Sequence, residues 1–238
     1  MKQFAIIGLG TFGQMILEEL VNVDCEILLI DKSREVVDLY KDRVTNAFIA
    51  DAINEEVINR LVPKTIDAAV VDLGDKLEVS ILVTNYLNKM GIKSIIAKAE
   101  SDEHGEILSL VGATRVVFPN REAAKRISPT LFSDLISSYL PLSKDFVIVE
   151  VKPPERYIGK SLIQSNIRKE YQLNVVAVRK EGGNEYRFFS PEYILQENDI
   201  FLIAGSEENL SRFAEITIPS QKGVRMRGFL RRFFSRFK

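Results

Sequence analysis

Three glycines stand near the N-terminus at the spacing Gly8-x-Gly10-x-x-Gly13, between the apolar run Phe4–Gly8 and an amphipathic stretch from Phe12 onward. Glycines alone say little, but a strand directly before them and a helix directly after them make a phosphate cradle. In such a turn Gly8 permits the tight bend, Gly10 lets the backbone approach a phosphate, and Gly13 lets the helix pack closely on the strand. The helix opening at Thr11 and Phe12 would offer free N–H groups and about half a positive charge to an anion.

Asp31 follows Gly13 by 18 residues, with Lys32 beside it. A carboxylate there can accept hydrogen bonds from ribose hydroxyls and would repel a 2′-phosphate, which favours NAD or ATP over NADP. The same aspartate could instead cap the helix that starts near Ser33. Asp51 and Asp72 end the third and fourth apolar runs, and Lys98 ends the fifth. At the carboxyl ends of parallel strands such residues border a ligand crevice. Asp51 with Ala52 could meet an adenine edge and Lys98 could answer a phosphate; singly, each could as well be a loop charge or a cap.

Catalytic groups are sparse. The lone histidine, His104, falls at an expected helix start and reads as a surface residue, and one Cys with one His leaves no set for a catalytic zinc. No Tyr-x-x-x-Lys pair is present, and nothing assembles a nucleophile with a base. The nucleotide therefore reads as a signal rather than a reactant. A small NAD-dependent oxidoreductase is the alternative from another class, and a nucleotide-sensing repressor is a third reading.

The elements that must hold these residues alternate. Runs Phe4–Gly8, Glu26–Asp31, Ala47–Asp51, Ala68–Asp72, Ser94–Lys98 and Arg115–Phe118 are continuously apolar, as parallel strands buried on both faces are. Between them Phe12–Val21, Ser33–Lys41, Asn54–Leu61, Lys76–Met90 and Asp102–Val111 read as helices, with stops at Gly91 and Gly112. The pattern predicts an α/β fold: a Rossmann-like doubly wound parallel sheet over residues 1–120. Arg121–Leu140 then reads as a connecting helix, broken or kinked at Ser128-Pro129, with the boundary near 140–145. Runs Phe146–Val151, Leu173–Arg179, Glu185–Phe189 and Asp199–Ala204 predict a small α+β domain over 144–217.

Composition narrows the class. At 46% apolar and 27% charged residues, the 238-residue chain matches a soluble globular protein, and no apolar run approaches the roughly 20 residues of a membrane span. The opening MKQFAIIGLG runs straight into a strand and turn, unlike a signal peptide, and the single Cys25 suits a core thiol in a reducing cytoplasm. The net charge of −1 hides seven basic and no acidic residues over 222–238, so the preceding body is strongly acidic and unsuited to nucleic acid. In the tail Phe229, Leu230, Phe233, Phe234 and Phe237 would share one helical face, a basic amphipathic segment suited to a membrane surface or a partner groove.

Taken together, Gly8-Leu9-Gly10-x-Phe12-Gly13, Asp31, Asp51-Ala52, Ala97-Lys98-Ala99 and Leu110-x-Gly112-Ala113-x-x-x-Val117-x-Pro119 resemble RCK (TrkA-N) domains. Ile158-Gly159-Lys160-Ser161-Leu162, Tyr171-x-Leu173-x-Val175-Val176-Ala177-Val178 and Glu197-x-Asp199-x-Phe201-Leu202-Ile203-x-Gly205 resemble the TrkA-C domain. The resemblance covers about residues 1–215 and implies a cytoplasmic regulatory subunit of a bacterial Trk/Ktr-type potassium uptake system, at the inner face of the cell membrane. It implies homodimers in a ring of eight, docked under a membrane potassium-translocating subunit. An adenine nucleotide, ATP, ADP or NAD(H), would bind at Gly8, Gly10, Thr11, Phe12, Gly13, Asp31, Lys32, Asp51, Ala52, Asp72 and Lys98 and shift the ring. In some relatives the second domain takes cyclic di-AMP, whose contacts would fall at Arg168, Asn174 and Pro191. Two departures stand out. Thr11 occupies a position where some relatives carry an arginine that reaches the terminal phosphate of ATP. Asn120 stands where some carry glutamate, with Glu122 two residues on.

Overall fold

In a computed structural model the described residues, 1–215, form two compact units, the second beginning at Arg121. The first unit runs β1 (Lys2–Ile7), α1 (Thr11–Leu20), β2 (Cys25–Asp31), α2 (Arg34–Tyr40), β3 (Asn46–Ile49) and α3 (Glu55–Leu61). It continues through β4 (Ala68–Val71), α4 (Leu77–Lys89), β5 (Ile95–Lys98), α5 (Asp102–Leu110) and β6 (Arg115–Val117). All six strands are parallel, in the order β3-β2-β1-β4-β5-β6. Chain order reverses on either side of β1, and that switch point is where an open α/β sheet forms a crevice.

Both faces of the sheet are covered because its strands are apolar on both faces. Ile6, Ile27 and Leu29 pack with Leu17 of α1 and Tyr40 of α2. The alternate residues Ala5, Ile7, Leu28 and Ile30 pack with Ile58, Val83, Leu87 and Leu108 from α3, α4 and α5. Ile6, Ile7, Leu29, Ile30 and Ile95 are among the fully buried side chains. Side-chain caps fix where helices begin: the Ser33 hydroxyl accepts from Val36 N–H, Asn54 from Glu56 N–H and Ser101 from His104 N–H. Cys25 is half-buried against the α1–α2 side, its Sγ 3.4 Å from the Leu20 carbonyl.

The chain leaves the first unit through α6 (Pro119–Phe132), and the second unit then adds β7 (Ile136–Pro141), β8 (Val147–Val151), α7 (Leu162–Ser165), α8 (Ile167–Tyr171), β9 (Asn174–Lys180), β10 (Asp199–Gly205) and α9 (Glu207–Ala214). Its sheet is antiparallel in the order β7-β8-β10-β9. Val149, Val151, Phe201 and Ile203 meet Leu173, Leu210 and Phe213 in one core, and the Phe213 ring stacks on Tyr157 at 5.6 Å.

Two expectations for this half change. The helix expected over 121–140 ends at Phe132, with Pro129 accommodated in its last turn, and Ile136–Pro141 is a strand of the second sheet. A register shift between Ile136 and Ser138 places buried Ile136 and Tyr139 three residues apart, a spacing that reads locally as helix. Glu185–Phe189 does not form a strand; Arg187 makes one isolated bridge to Val178. The aromatic tail lies outside the described residues.

Candidate nucleotide site

The carboxyl ends of four strands enclose a crevice of about 270 Å³. Its lining comes from Gly8–Gly10 after β1, Ile30–Lys32 at the end of β2, Ala50–Ile53 after β3 and Asp72–Gly74 after β4, with Lys76 and Val79 at the start of α4. That is near the lower end of the roughly 300–1,000 Å³ usual for ligand pockets. It suits the nucleoside part of a nucleotide, with phosphates extending over the glycine turn.

The turn is held from beneath by Asp72. Gly8 sits at φ +80°, and a Cβ there would lie 2.3 Å from the Asp72 carbonyl oxygen. A Cβ on Gly10 would fall 2.4 Å from the Asp72 carboxylate, so glycine at this position makes room for that side chain. The carboxylate accepts from Gly13 N–H at 2.9 Å, while Gly10 N–H donates to the Asp72 carbonyl at 3.3 Å. Asp72 is 1% exposed, so it shapes the turn instead of presenting its carboxylate to a ligand.

Lys98 joins this support. Its ammonium lies 3.5 Å from Asp72 Oδ1 and 2.9 Å from Glu100 Oε1, and it does not line the crevice. Burial alone would lower the Lys98 pKa, but the hydrogen bond to Glu100 and the charge of Asp72 carry it above the usual lysine value. The expected answer of Lys98 to a phosphate thus becomes an ion pair that neutralises the carboxylate under the turn.

Asp31 occupies the place expected for a ribose acceptor. Its Oδ2 accepts from Leu9 N–H at 2.7 Å and its Oδ1 from Ser33 N–H at 2.8 Å. The helix cap is the Ser33 hydroxyl, so Asp31 is not the cap itself. Each carboxylate oxygen retains a lone pair that a ribose hydroxyl could use. Asp51 accepts from Ile53 N–H at 3.1 Å and holds the β3–α3 loop against the crevice, with Ala52 buried in its wall.

At the mouth of α1 the backbone remains open. Gly13 N–H bonds Asp72 and Gln14 N–H bonds the Gly10 carbonyl, whereas Thr11 and Phe12 N–H have no acceptor among the described residues. Two free donors at the N-terminus of a ten-residue helix present the geometry of an anion cradle.

His104 is buried, contrary to its expected surface place. Its Nε2 lies 2.8 Å from Ser80 Oγ, and its Nδ1 accepts from Glu100 N–H at 3.3 Å. The Ser80 hydroxyl donates to the Leu77 carbonyl, so the proton between Ser80 and the ring belongs to Nε2. Burial lowers the His104 pKa, against the opposing charge of Glu100. With both nitrogens occupied, the ring is a structural tie between α4 and α5. Local sequence could not reveal this, because Ser80 is 24 residues away.

In the second unit Arg168, Asn174 and Pro191 are all exposed, and the Pro191 carbonyl accepts from Ile163 N–H at 3.1 Å. A cavity of about 630 Å³ in this unit is lined by other residues, among them Arg179, Arg187, Phe189 and Tyr193. Among the described residues no group of His, Cys, Asp and Glu could hold a metal, and no helix is long and apolar enough to cross a membrane.

Known proteins resemble both halves. The TrkA-N domain family matches residues 4–119 and the TrkA-C domain family residues 146–217. The chain is 34% identical over 212 residues to Ktr system potassium uptake protein C of Bacillus subtilis (strain 168), covering 89% of this chain and 96% of that one. It is 32% identical over 212 residues to Ktr system potassium uptake protein A of the same organism, covering 89% and 95%. The GsuK channel bound to NAD shares the fold at a TM-score of 0.64 and 16% identity, covering 93% of this chain and 40% of that one. The chain therefore spans less than half of that channel's length. On sequence and architecture together, the chain belongs to the Ktr potassium uptake protein family and carries a TrkA-N domain followed by a TrkA-C domain.

Proposed function

We propose that this chain is the nucleotide-binding regulatory subunit of a potassium uptake system, in which an adenine nucleotide in the first unit's crevice governs flux through a membrane potassium-translocating partner. The observation that carries the reading is a crevice lined by Asp31 and by Gly8–Gly10, the turn that leads directly into the open Thr11 and Phe12 N–H groups of α1. A carboxylate for the ribose and an uncapped helix start for phosphates suit NAD(H), ATP or ADP. Relatives named for potassium uptake, and a fold neighbour named as a channel bound to NAD, support the same reading. The nucleotide acts as a signal: regulation requires that it bind two conformations of the assembly with different affinity.

The subunit works in the cytoplasm against the inner face of the membrane, as a homodimer built into a ring of eight. Exposed Ile127 and Leu131, one turn apart on α6, and Phe132 give that helix an apolar surface suited to a second copy. The basic tail would touch the membrane face or the channel subunit, and removal of residues 222–238 should weaken both liposome and partner binding. Arg168, Asn174 and Pro191 would receive cyclic di-AMP between two copies of the second unit.

Equilibrium binding of ATP, ADP and NADH to the purified full chain, with assembly size measured alongside, tests the reading. Binding by a multimer is the expected result. A monomer that takes up no adenine nucleotide would overturn it.

A further inference from the structure

One wall of the crevice belongs to the edge of the sheet. β3 is a four-residue strand at the end of the strand order, and three of its four residues are exposed. The loop that follows it brings Ala50, Asp51, Ala52 and Ile53 to the lining. Its start is tied firmly, with Ala50 N–H donating to the Asp31 carbonyl at 2.9 Å. Further on its own bonds are longer: Ile53 N–H reaches Asp51 Oδ1 at 3.1 Å, and Asn54 N–H the Asp51 carbonyl at 3.4 Å. An edge segment with few ties is where a fold opens locally.

The far end of this wall is held from α4. Tyr86 is buried on that helix and belongs to the same core as Ile58, Val62 and Val83. Its hydroxyl donates to the Ile53 carbonyl at 3.3 Å. A phenylalanine would fill the same apolar space, so what the hydroxyl adds is this bond to the loop. Val79, on the same face of α4 two turns earlier, itself lines the crevice. One helix therefore forms part of the crevice and also anchors the loop that forms another part. The Lys89–Glu55 pair joins α4 to α3 as well, but at 3.5 Å between exposed side chains, where such pairs contribute little.

We propose that Tyr86 is a positioning residue for the nucleotide: its hydroxyl fixes the β3–α3 loop relative to α4 and so preforms the part of the crevice that takes the nucleoside. The inference rests on the crevice being a nucleotide site. Tyr86 does not line the crevice and acts through Ile53. A loop already in place needs no ordering when the ligand arrives, and that saving appears as affinity.

Tyr86→Phe in the full-length protein removes the hydroxyl and keeps the ring. ADP and NADH, which share the adenosine end, should each bind about 3- to 10-fold more weakly, the order of one neutral hydrogen bond. Hydrogen exchange of the ligand-free variant should quicken over residues 51–54 and stay unchanged over residues 8–13, a local change that a general loss of packing would not give. Lys89→Gln removes the exposed ion pair beside it and should leave both affinities unchanged. Parent-like affinities for ADP and NADH in Tyr86→Phe would overturn the proposal. So would weaker binding with faster exchange over residues 8–13, since the hydroxyl would then support the whole unit, or weaker binding with no change over residues 51–54. Absence of ADP and NADH binding by the parent protein would remove the nucleotide site itself, a failure distinct from a parent and a variant that bind equally well.

Discussion

The two units use their carboxylates differently. In the first unit the strand-end carboxylates Asp31, Asp51 and Asp72 accept from backbone N–H groups around the crevice, and Asp72 also pairs with Lys98. In the second unit charges close on one another across the sheet. Arg179 grips both oxygens of Glu150, each at 2.8 Å, and Tyr186 and Ser137 donate to the same carboxylate. Lys180 and Tyr193 both bond the buried Asp199. Open N–H groups at the start of α1 suit an incoming anion, whereas side-chain pairs that tie one strand of the sheet to another suit rigidity. The contrast fits ligand binding at the first unit's crevice and cross-strand bracing in the second unit's sheet.

The largest effect expected is at Asp72. Asp72→Ala would leave the buried Gly13 N–H without its acceptor and Lys98 with only Glu100, costing about 3–5 kcal/mol as in other broken buried pairs. Denaturant unfolding should show the loss, with hydrogen exchange placing it over residues 8–13. Asp72→Asn retains an acceptor for Gly13 and should cost less. Equal stability of the alanine variant and the parent would remove Asp72 as the support of the turn.

Next comes Asp31→Asn, which keeps one acceptor oxygen but loses the charge. Nucleotide affinity should fall by roughly 10- to 100-fold, the range of a hydrogen bond to a charged group, while the melting of the second unit stays in place. Unchanged affinity would take Asp31 out of the site.

Glu150→Ala tests the other side of the comparison. Removing the partner of Arg179 should destabilise the second unit by about 1–3 kcal/mol and leave nucleotide affinity untouched. The Arg179 guanidinium is the main cause that holds the Glu150 pKa down to about 2. The pair's contribution is complete above the ordinary carboxylate value near 4.5 and disappears as pH falls toward 2. Acid titration of the variant should lack that step.

The smallest effect is a pH dependence at His104. Burial lowers its pKa below the ordinary 6.5, so the unfolded chain takes up a proton at a pH where the folded chain does not. First-unit stability should be complete above about pH 6.5 and decline as the solution is acidified below it. A His104→Asn variant should lose that slope; its persistence would assign the acid sensitivity to another group.

The parallel half was legible because strands buried on both faces stay apolar throughout. Ile6 and Ile7, or Leu29 and Ile30, face opposite layers and yet are equally buried. The turn at Gly8–Gly10 was legible because the strand and helix that flank it in sequence also flank it in space. Features set by distant partners were not. Asp72 and Lys98 resemble two ligand-facing residues until the fold brings them to 3.5 Å. His104 resembles a surface helix start until Ser80 meets it from α4. Ile136–Pro141 lost its two-residue alternation to a register shift, and only its pairing with β8 makes it a strand.

The central claim is that an adenine nucleotide occupies the first unit's crevice. Hydrogen exchange of the full chain with and without saturating nucleotide tests it most directly. Slowed exchange is predicted over Leu9–Gly13, Asp31–Ser33 and Asp51–Ile53, with Thr11 and Phe12 changing most. Bound nucleotide with no protection there, or with protection only beyond Arg121, would contradict the account.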